Sequence, residues 1–161
     1  MTKLRERRIP PAPGRTNRRG RTATNRSRVA VRVAHRFNVS PKDVFDAWLD
    51  PNTAGKWLFA TALHPMRHVE IDPRVEGSFR MVDHDGVEYI GEYSEITPYR
   101  RLVFTLFMEN RPTVPTRVVM EITPLKKGCT LTVSHENLPP DCARYTEARW
   151  TGALYGLGVT L

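Results

Sequence analysis

The sequence lacks the features of a membrane-spanning chain and of a disulfide-stabilised secreted domain. Its 161 residues include two cysteines, Cys129 and Cys142, and neither belongs to a Cys-x-x-Cys pair or to a Cys/His cluster with metal-ligand spacing. No apolar run approaches the roughly 18 residues that a membrane span needs. The start of the sequence also lacks the hydrophobic segment that a secretion signal contains. We therefore expect one domain with free thiols in a reducing, cytoplasmic compartment, without a metal or cofactor.

Recognisable catalytic motifs are missing as well. No Ser-His-Asp set, nucleophile elbow or phosphate-binding Gly-rich loop is visible in the chain. His64 and His68 have the spacing of metal ligands on one helical face, but Pro65 argues against a helix and no third ligand is evident. The sequence therefore predicts no catalytic residues and no metal site, and it favours a protein that is not an enzyme.

The net charge of +8 is concentrated in an N-terminal tail. Residues 1–28 hold ten Lys or Arg and one acid, whereas residues 29–161 hold fifteen bases and sixteen acids. Because the tail has no aromatic residue and few apolar ones, we expect it to be disordered. A weak nucleic-acid or anionic-lipid contact, a transit peptide, an upstream translation start and an inert solvated tail all stay open.

The body, residues 29–161, begins with one strand and two short helices. Residues 29–37 alternate between apolar and other side chains, which predicts a strand with one buried face. Ser40 followed by Pro41 is a typical helix start, and Asp50 followed by Pro51 predicts the end of that helix and the start of a second.

The rest of the body predicts about six antiparallel strands and one long helix. Asp-Gly at positions 85–86 and Lys-Lys-Gly at 126–128 predict hairpin turns. Residues 141–161 contain no proline and predict a helix whose apolar side consists of Ala148, Trp150, Leu154, Tyr155 and Leu157. Consecutive strands followed by a terminal helix indicate an α+β fold, in which a helix across a curved sheet leaves room for an interior pocket.

Five sequence elements, in order, resemble the activator of heat-shock protein 90 ATPase-like domains. They are SPKDVFDAWLDPNTAGKWL, EIDPRVEGSFR, DGVEYIGEYSEITPYRRLVFT, GCTLTVSHENLP and ARWTGALYGL. These domains belong to the START-like, helix-grip superfamily, which includes the birch pollen allergen and polyketide cyclases. The resemblance implies a curved antiparallel sheet of about six to seven strands wrapped around a long C-terminal helix. Arg149 departs from the pattern, because the family usually has Gly before the last tryptophan.

The resemblance favours a module that binds a small hydrophobic or amphipathic ligand. It leaves two alternatives, a co-chaperone that binds an Hsp90-type ATPase and a polyketide cyclase-like enzyme, and it does not settle the ligand or the oligomeric state. The binding hypothesis requires an interior cavity of on the order of a hundred Å³, since ligand sites usually enclose about 300 Å³ or more. The candidate ligand contacts are Trp57, Phe59, Tyr89, Tyr93, Phe104, Arg117, Met120 and His135.

Some of these candidates also have a purely structural interpretation. Tyr89 and Tyr93 share one strand face, where they could line a pocket or pack in the core. A hydrogen-bonded core position is the favoured interpretation of His135. Trp48 is predicted to anchor the first helix to the sheet, whereas Trp57 is the better candidate for a ligand contact, with core packing as its alternative.

Overall fold

The computed structural model describes residues 27–61, 63–109 and 114–161. Apart from Ser27 and Arg28, the predicted basic tail lies outside these ranges. None of the described helices has the length and apolar character that crossing a membrane would require.

Seven strands and three α-helices make up the described chain. The strands are β1 (Val29–Phe37), β2 (His68–Ile71), β3 (Ser78–Val82), β4 (Glu88–Thr97), β5 (Arg101–Met108), β6 (Thr116–Pro124) and β7 (Cys129–Leu138). The helices are α1 (Pro41–Leu49), α2 (Pro51–Trp57) and α3 (Ala143–Thr160), the last preceded by a 3₁₀ turn over Pro140–Cys142.

The strands form one antiparallel sheet in the order β1-β7-β6-β5-β4-β3-β2. Strands β2 to β7 each pair with their neighbour in sequence, whereas β1 crosses to the far edge and pairs with β7. The helix α3 lies against β1 and α2. This arrangement confirms the predicted α+β helix-grip fold, with its curved sheet, long C-terminal helix and two short helices after the first strand.

Local capping determines where the two short helices begin. The Ser40 hydroxyl accepts a hydrogen bond from the Asp43 amide at 3.2 Å, and the Asp50 carboxylate accepts one from the Asn52 amide at 3.3 Å. Each cap is followed by proline at the first helical position, where a missing N–H costs nothing. Asp50 ends α1 and caps α2, so the chain turns sharply and both helices close the same end of the sheet.

The buried side of α3 is narrower than predicted. Trp150, Leu154 and Leu157 recur at helical spacing and are buried, as expected. Ala148 and Tyr155 were assigned to the same side and that assignment is wrong, because both are exposed, Tyr155 with 69% of its surface. Their positions on the helical wheel turn them away from the sheet, and this places Arg149 rather than Ala148 at the edge of the buried stripe.

Trp48 lies at the centre of an aromatic cluster between the short helices, the sheet and α3. It is 1% exposed, and its ring centroid lies 4.8 Å from Trp57, 5.9 Å from Trp150 and 6.2 Å from Phe104. These contacts join α1, α2, β5 and α3 through one side chain. Trp48 is therefore a buried anchor, as the sequence predicts.

Candidate functional site

A cleft opens beside Trp150, between α3, the loop after α2 and the concave face of the sheet. It encloses about 70 Å³, below the hundred or so Å³ that the binding hypothesis requires, so a ligand fits there only if lining side chains move. The loop and the sheet contribute Phe59, Ala60, Tyr89, Leu106, Met108 and His135. The helix α3 contributes Tyr145, Thr146, Arg149, Trp150 and Ala153.

Aromatic rings form one wall of the cleft. Phe59 stacks on Tyr89 with centroids 4.7 Å apart and planes 6° from parallel, and its ring edge approaches Trp150 at 6.0 Å. The backbone of Phe59 has φ of 59°, in the left-handed region, which costs a residue with a β-carbon about 1–2 kcal/mol. Such strain clusters at binding sites, where the surrounding structure holds it in place.

His135 lies at the inner end of the cleft with both ring nitrogens hydrogen-bonded. Trp150 Nε1 donates to His135 Nδ1 at 3.0 Å, so the ring proton lies on Nε2, which contacts Thr116 Oγ1 at 2.7 Å. The Thr116 hydroxyl in turn donates to the Leu106 carbonyl at 3.0 Å. Burial lowers the pKa of His135 from 6.5 to about 4, so the ring is neutral at physiological pH and has no free nitrogen for proton transfer.

Arg149 extends from α3 across the mouth of the cleft and is half-buried. Its Nη1 donates to the Tyr145 hydroxyl at 3.1 Å. Its Nη2 lies 3.4 Å from both the Phe59 carbonyl and the Tyr89 hydroxyl. The guanidinium therefore contributes the formal positive charge to a cleft that is otherwise lined mainly by apolar and aromatic groups.

A tight turn before β4 holds the Tyr89 hydroxyl in place. Asp83 Oδ1 accepts hydrogen bonds from the amides of Asp85 and Val87, both at 2.9 Å, and Gly86 completes the turn with φ of 87°. The other carboxylate oxygen of Asp83 accepts from the Tyr89 hydroxyl at 3.2 Å. Burial raises the pKa of Tyr89, so its hydroxyl stays protonated and links Asp83 to Arg149.

Three of the eight ligand contacts suggested by the sequence line the cleft: Phe59, Tyr89 and His135. His135 satisfies both of its interpretations, because it is a hydrogen-bonded core residue whose ring also faces the cleft. That these three residues contact a ligand stays a prediction.

The other five candidates lie outside the lining. Trp57 is 2% exposed and its indole donates to the Ala47 carbonyl at 3.1 Å. Met120 is fully buried, and Tyr93 and Phe104 border a separate void of about 10 Å³, no larger than a single water molecule needs. Arg117 points outward and its guanidinium pairs with Glu136 at 2.6 Å. We leave these five residues out of the proposed site.

Several lining residues were not selected from the sequence. Leu106 and Met108 belong to an apolar strand whose inward face the pattern alone does not rank, and Tyr145 is 49% exposed at the mouth. The signal for Arg149 was its departure from the family pattern. Its position in the cleft depends on the packing of α3, which no local pattern reveals.

The described histidines do not form a metal centre. His64 stacks on His84 with centroids 4.0 Å apart, whereas His68 contacts Glu70 at 2.7 Å. Within the described ranges, no group of three or more His, Cys, Asp or Glu side chains could hold a metal ion.

Comparison with protein-family models gives a match over most of the chain. The model of the family described as Activator of Hsp90 ATPase homolog 1-like protein matches residues 38–161. None of the curated proteins has a sequence that matches this chain.

Solved structures share the fold at low sequence identity. Protein CV1439 from Chromobacterium violaceum is 21% identical with a TM-score of 0.71, over 81% of this chain and 94% of that one. CalU16 from Micromonospora echinospora is 21% identical with a TM-score of 0.67, over 83% and 76%. DynU16, a protein of the dynemicin biosynthetic locus, is 20% identical with a TM-score of 0.68, over 81% of this chain and 46% of its own. Identities this low establish a common fold and not a common ligand.

Proposed function

The chain belongs to the family of Activator of Hsp90 ATPase homolog 1-like proteins, and we propose that it binds a small apolar or amphipathic molecule in the cleft beside Trp150. The observation that carries this proposal is the cleft itself, a concave site with aromatic walls and a few convergent polar groups. Such a combination is typical of small-molecule sites.

The size of the cleft restricts how a ligand enters. A volume of about 70 Å³ is well below the roughly 300–1,000 Å³ of most ligand sites. The side chains of Tyr145 and Arg149 occupy the mouth, and two of the Arg149 hydrogen bonds are long, at 3.4 Å. We therefore expect ligand entry to displace these two side chains, while the rings of Phe59 and Tyr89 stay in place.

The experiment is a titration with 1-naphthamide, followed by the backbone amide shifts of ¹⁵N-labelled protein. We expect the largest shifts at Phe59, Tyr89 and Trp150. Ala153→Phe should abolish binding because the added ring fills the cleft, whereas Ala148→Phe on the exposed side of α3 should not. Binding that survives Ala153→Phe would place the ligand elsewhere and contradict the proposal.

Polyketide cyclase-like activity is a second candidate, since the Tyr89 hydroxyl and the Arg149 guanidinium lie together beside stacked aromatic rings. An aromatic wall can hold a flexible substrate in a folded conformation, and the Arg149 guanidinium, which the Tyr89 hydroxyl helps to orient, can donate to an enolate oxygen. Turnover of a short poly-β-ketone analogue, measured by chromatography, should fall at least tenfold in Tyr89→Phe. Equal turnover in the variant would exclude this role for Tyr89.

Binding to an Hsp90-type ATPase remains a prediction that rests on the family resemblance. It would use an exposed surface and would not depend on the cleft. A pull-down that recovers no chaperone, with ATPase rates unchanged by the added protein, would exclude it.

A further inference from the structure

We infer that the molecule bound in the cleft carries a carboxylate, which pairs with the guanidinium of Arg149, on an apolar body. This inference rests on the proposed binding function and specifies the ligand class. It starts from the charge of Arg149, which is positive at every physiological pH because guanidinium does not lose its proton in proteins.

The partners of Arg149 within the described ranges are all neutral. They are the hydroxyls of Tyr145 and Tyr89 and the carbonyl of Phe59, at 3.1 to 3.4 Å. No carboxylate of a described residue lies within 4.0 Å of this guanidinium. The acid joined to it most directly is Asp83, on the other side of the Tyr89 hydroxyl.

The other arginines for which the described chain shows an ion pair differ from Arg149 because their partners are charged. Each makes a salt bridge with a carboxylate: Arg74 with Asp72, Arg80 with Glu88, Arg101 with Glu95 and Glu121, and Arg117 with Glu136. Those carboxylates lie in the loop before β3 and on the sheet, and two of the arginines, Arg80 and Arg101, are themselves half-buried, so partial burial is matched there by a carboxylate. Arg149 is half-buried among aromatic rings, where an unpaired charge costs more free energy. Arg149 is thus a half-buried cation that, unlike Arg80 and Arg101, has no carboxylate partner among the described residues.

The present hydrogen bonds of Arg149 are easily exchanged. Two of them are 3.4 Å long, beyond the usual 2.7–3.2 Å of an N–H···O bond. A carboxylate accepts two parallel bonds from guanidinium at about 2.7–2.9 Å, and such charge-assisted bonds are roughly twice as strong as neutral ones. A carboxylate at the mouth would therefore replace weak contacts with strong ones.

The rest of the cleft determines the other part of the ligand. Phe59, Leu106, Met108 and Trp150 offer rings and aliphatic groups, and both nitrogens of His135 are already occupied by the protein. Deeper than Arg149, the cleft therefore accommodates an apolar group. The ligand class that matches both parts is a monocarboxylic acid with an aromatic or aliphatic body.

The test compares acids with amides of the same shape by calorimetry at pH 7.5. The pairs are 1-naphthoate with 1-naphthamide and decanoate with decanamide, which separate aromatic from aliphatic bodies. We expect the wild-type protein to bind the acid of at least one pair at least tenfold more tightly than its amide. Arg149→Gln should abolish that preference, so that each acid and its amide bind within twofold of each other.

Two further variants complete the test. Arg117→Gln removes a cation from the outer face of the sheet and should leave the preference for the acid unchanged. If Arg149→Gln does not fold, Arg149→Lys should lower the preference at least threefold, because an ammonium group cannot bind both carboxylate oxygens in parallel.

The outcomes separate the inference from the function on which it rests. Amides that bind as tightly as the acids, or a preference that persists in Arg149→Gln, would overturn the inference and leave the binding function intact. If none of the four compounds binds, the proposed function fails, and the inference fails with it.

Discussion

Trp150 donates its indole N–H to Nδ1 of His135 at 3.0 Å, and this bond determines the tautomer of the neutral histidine. An imidazole nitrogen that accepts a hydrogen bond carries no proton, so the ring proton lies on Nε2, beside Thr116. The last helix is thereby joined to strands β5, β6 and β7 through a chain of neutral hydrogen bonds. Protonation of His135 would put two donors, indole and imidazolium, face to face in the core.

Acid should therefore destabilise the protein through His135. Its pKa is about 4 in the folded state and 6.5 in the unfolded chain, so the unfolded state binds more protons as the pH falls between these values. Acidification therefore lowers the free energy of unfolding, by about 1 kcal/mol at pH 5.5 and by up to about 3 kcal/mol below pH 4. Urea unfolding at pH 7.5, 5.5 and 4.5 measures the loss.

A histidine variant serves as the control for that measurement. His135→Gln removes the titrating group, so its stability should depend less on pH than that of the wild type over this range. Equal slopes for His135→Gln and the wild type would contradict the assignment.

The contribution of the Trp150 hydrogen bond to stability can be measured by comparing Trp150→Phe with the same substitution at Trp48. Both rings are buried, but Trp48 Nε1 has no hydrogen-bond partner among the described residues. Trp150→Phe leaves His135 without its donor, whereas Trp48→Phe removes a donor that already lacks an acceptor. We expect Trp150→Phe to cost about 1–3 kcal/mol more free energy of unfolding than Trp48→Phe. Equal losses of unfolding free energy in the two variants, measured by urea denaturation, would show that the hydrogen bond makes no net contribution to stability.

Gly91 on β4 should not tolerate a side chain. A β-carbon there would lie 2.0 Å from the Thr105 carbonyl oxygen and 2.4 Å from the Phe79 ring. Gly91→Ala should therefore lower the free energy of unfolding by about 3 kcal/mol or more, since the contacting atoms include backbone. Gly152→Ala, in open space on α3, should instead raise it by about 0.5–1 kcal/mol. A Gly91→Ala variant as stable as the wild type would show that β4 shifts freely.

Intrinsic fluorescence should locate a ligand at Trp150 and not at Trp57. Trp150 lines the cleft, whereas Trp57 is buried and hydrogen-bonded to Ala47. A variant that keeps only Trp150, with Trp48 and Trp57 replaced by Phe, should change its emission when 1-naphthamide is added. The variant that keeps only Trp57 should not. A response confined to Trp57 would move the binding site toward α2.

The sequence predicted the elements of this fold well because their signals are local. Ser40 and Asp50 cap helices a few residues away, and the alternation along β1 reflects burial of one face of the same strand. The positive φ of Gly86 and Gly128 likewise follows from turns whose sequence signals lie within four residues of each glycine. The resemblance to a family supplied the arrangement of these elements.

The cleft was predicted less well because it depends on which inward-facing residues lie under α3. Tyr89 and Tyr93 share a strand face and are both buried, yet only Tyr89 lies beside Arg149, and Tyr93 packs against Phe79. A rotation of α3 by one residue would exchange Ala148 for Arg149 at the mouth, and the sequence carries no marker of that rotation. The residue that differed from the family pattern was the better guide to the site.

The pairing of β1 with β7 has a consequence for synthesis on the ribosome. Val29 pairs with Leu138 and Phe37 with Cys129, so the first strand has no strand partner until the chain has grown about a hundred residues longer. Contacts this distant in sequence slow folding, and strands that wait for a partner are exposed to association with other chains. Nascent chains arrested before residue 129 should therefore be sensitive to protease and prone to aggregate. Protection should appear only after β7 and α3 have left the exit tunnel.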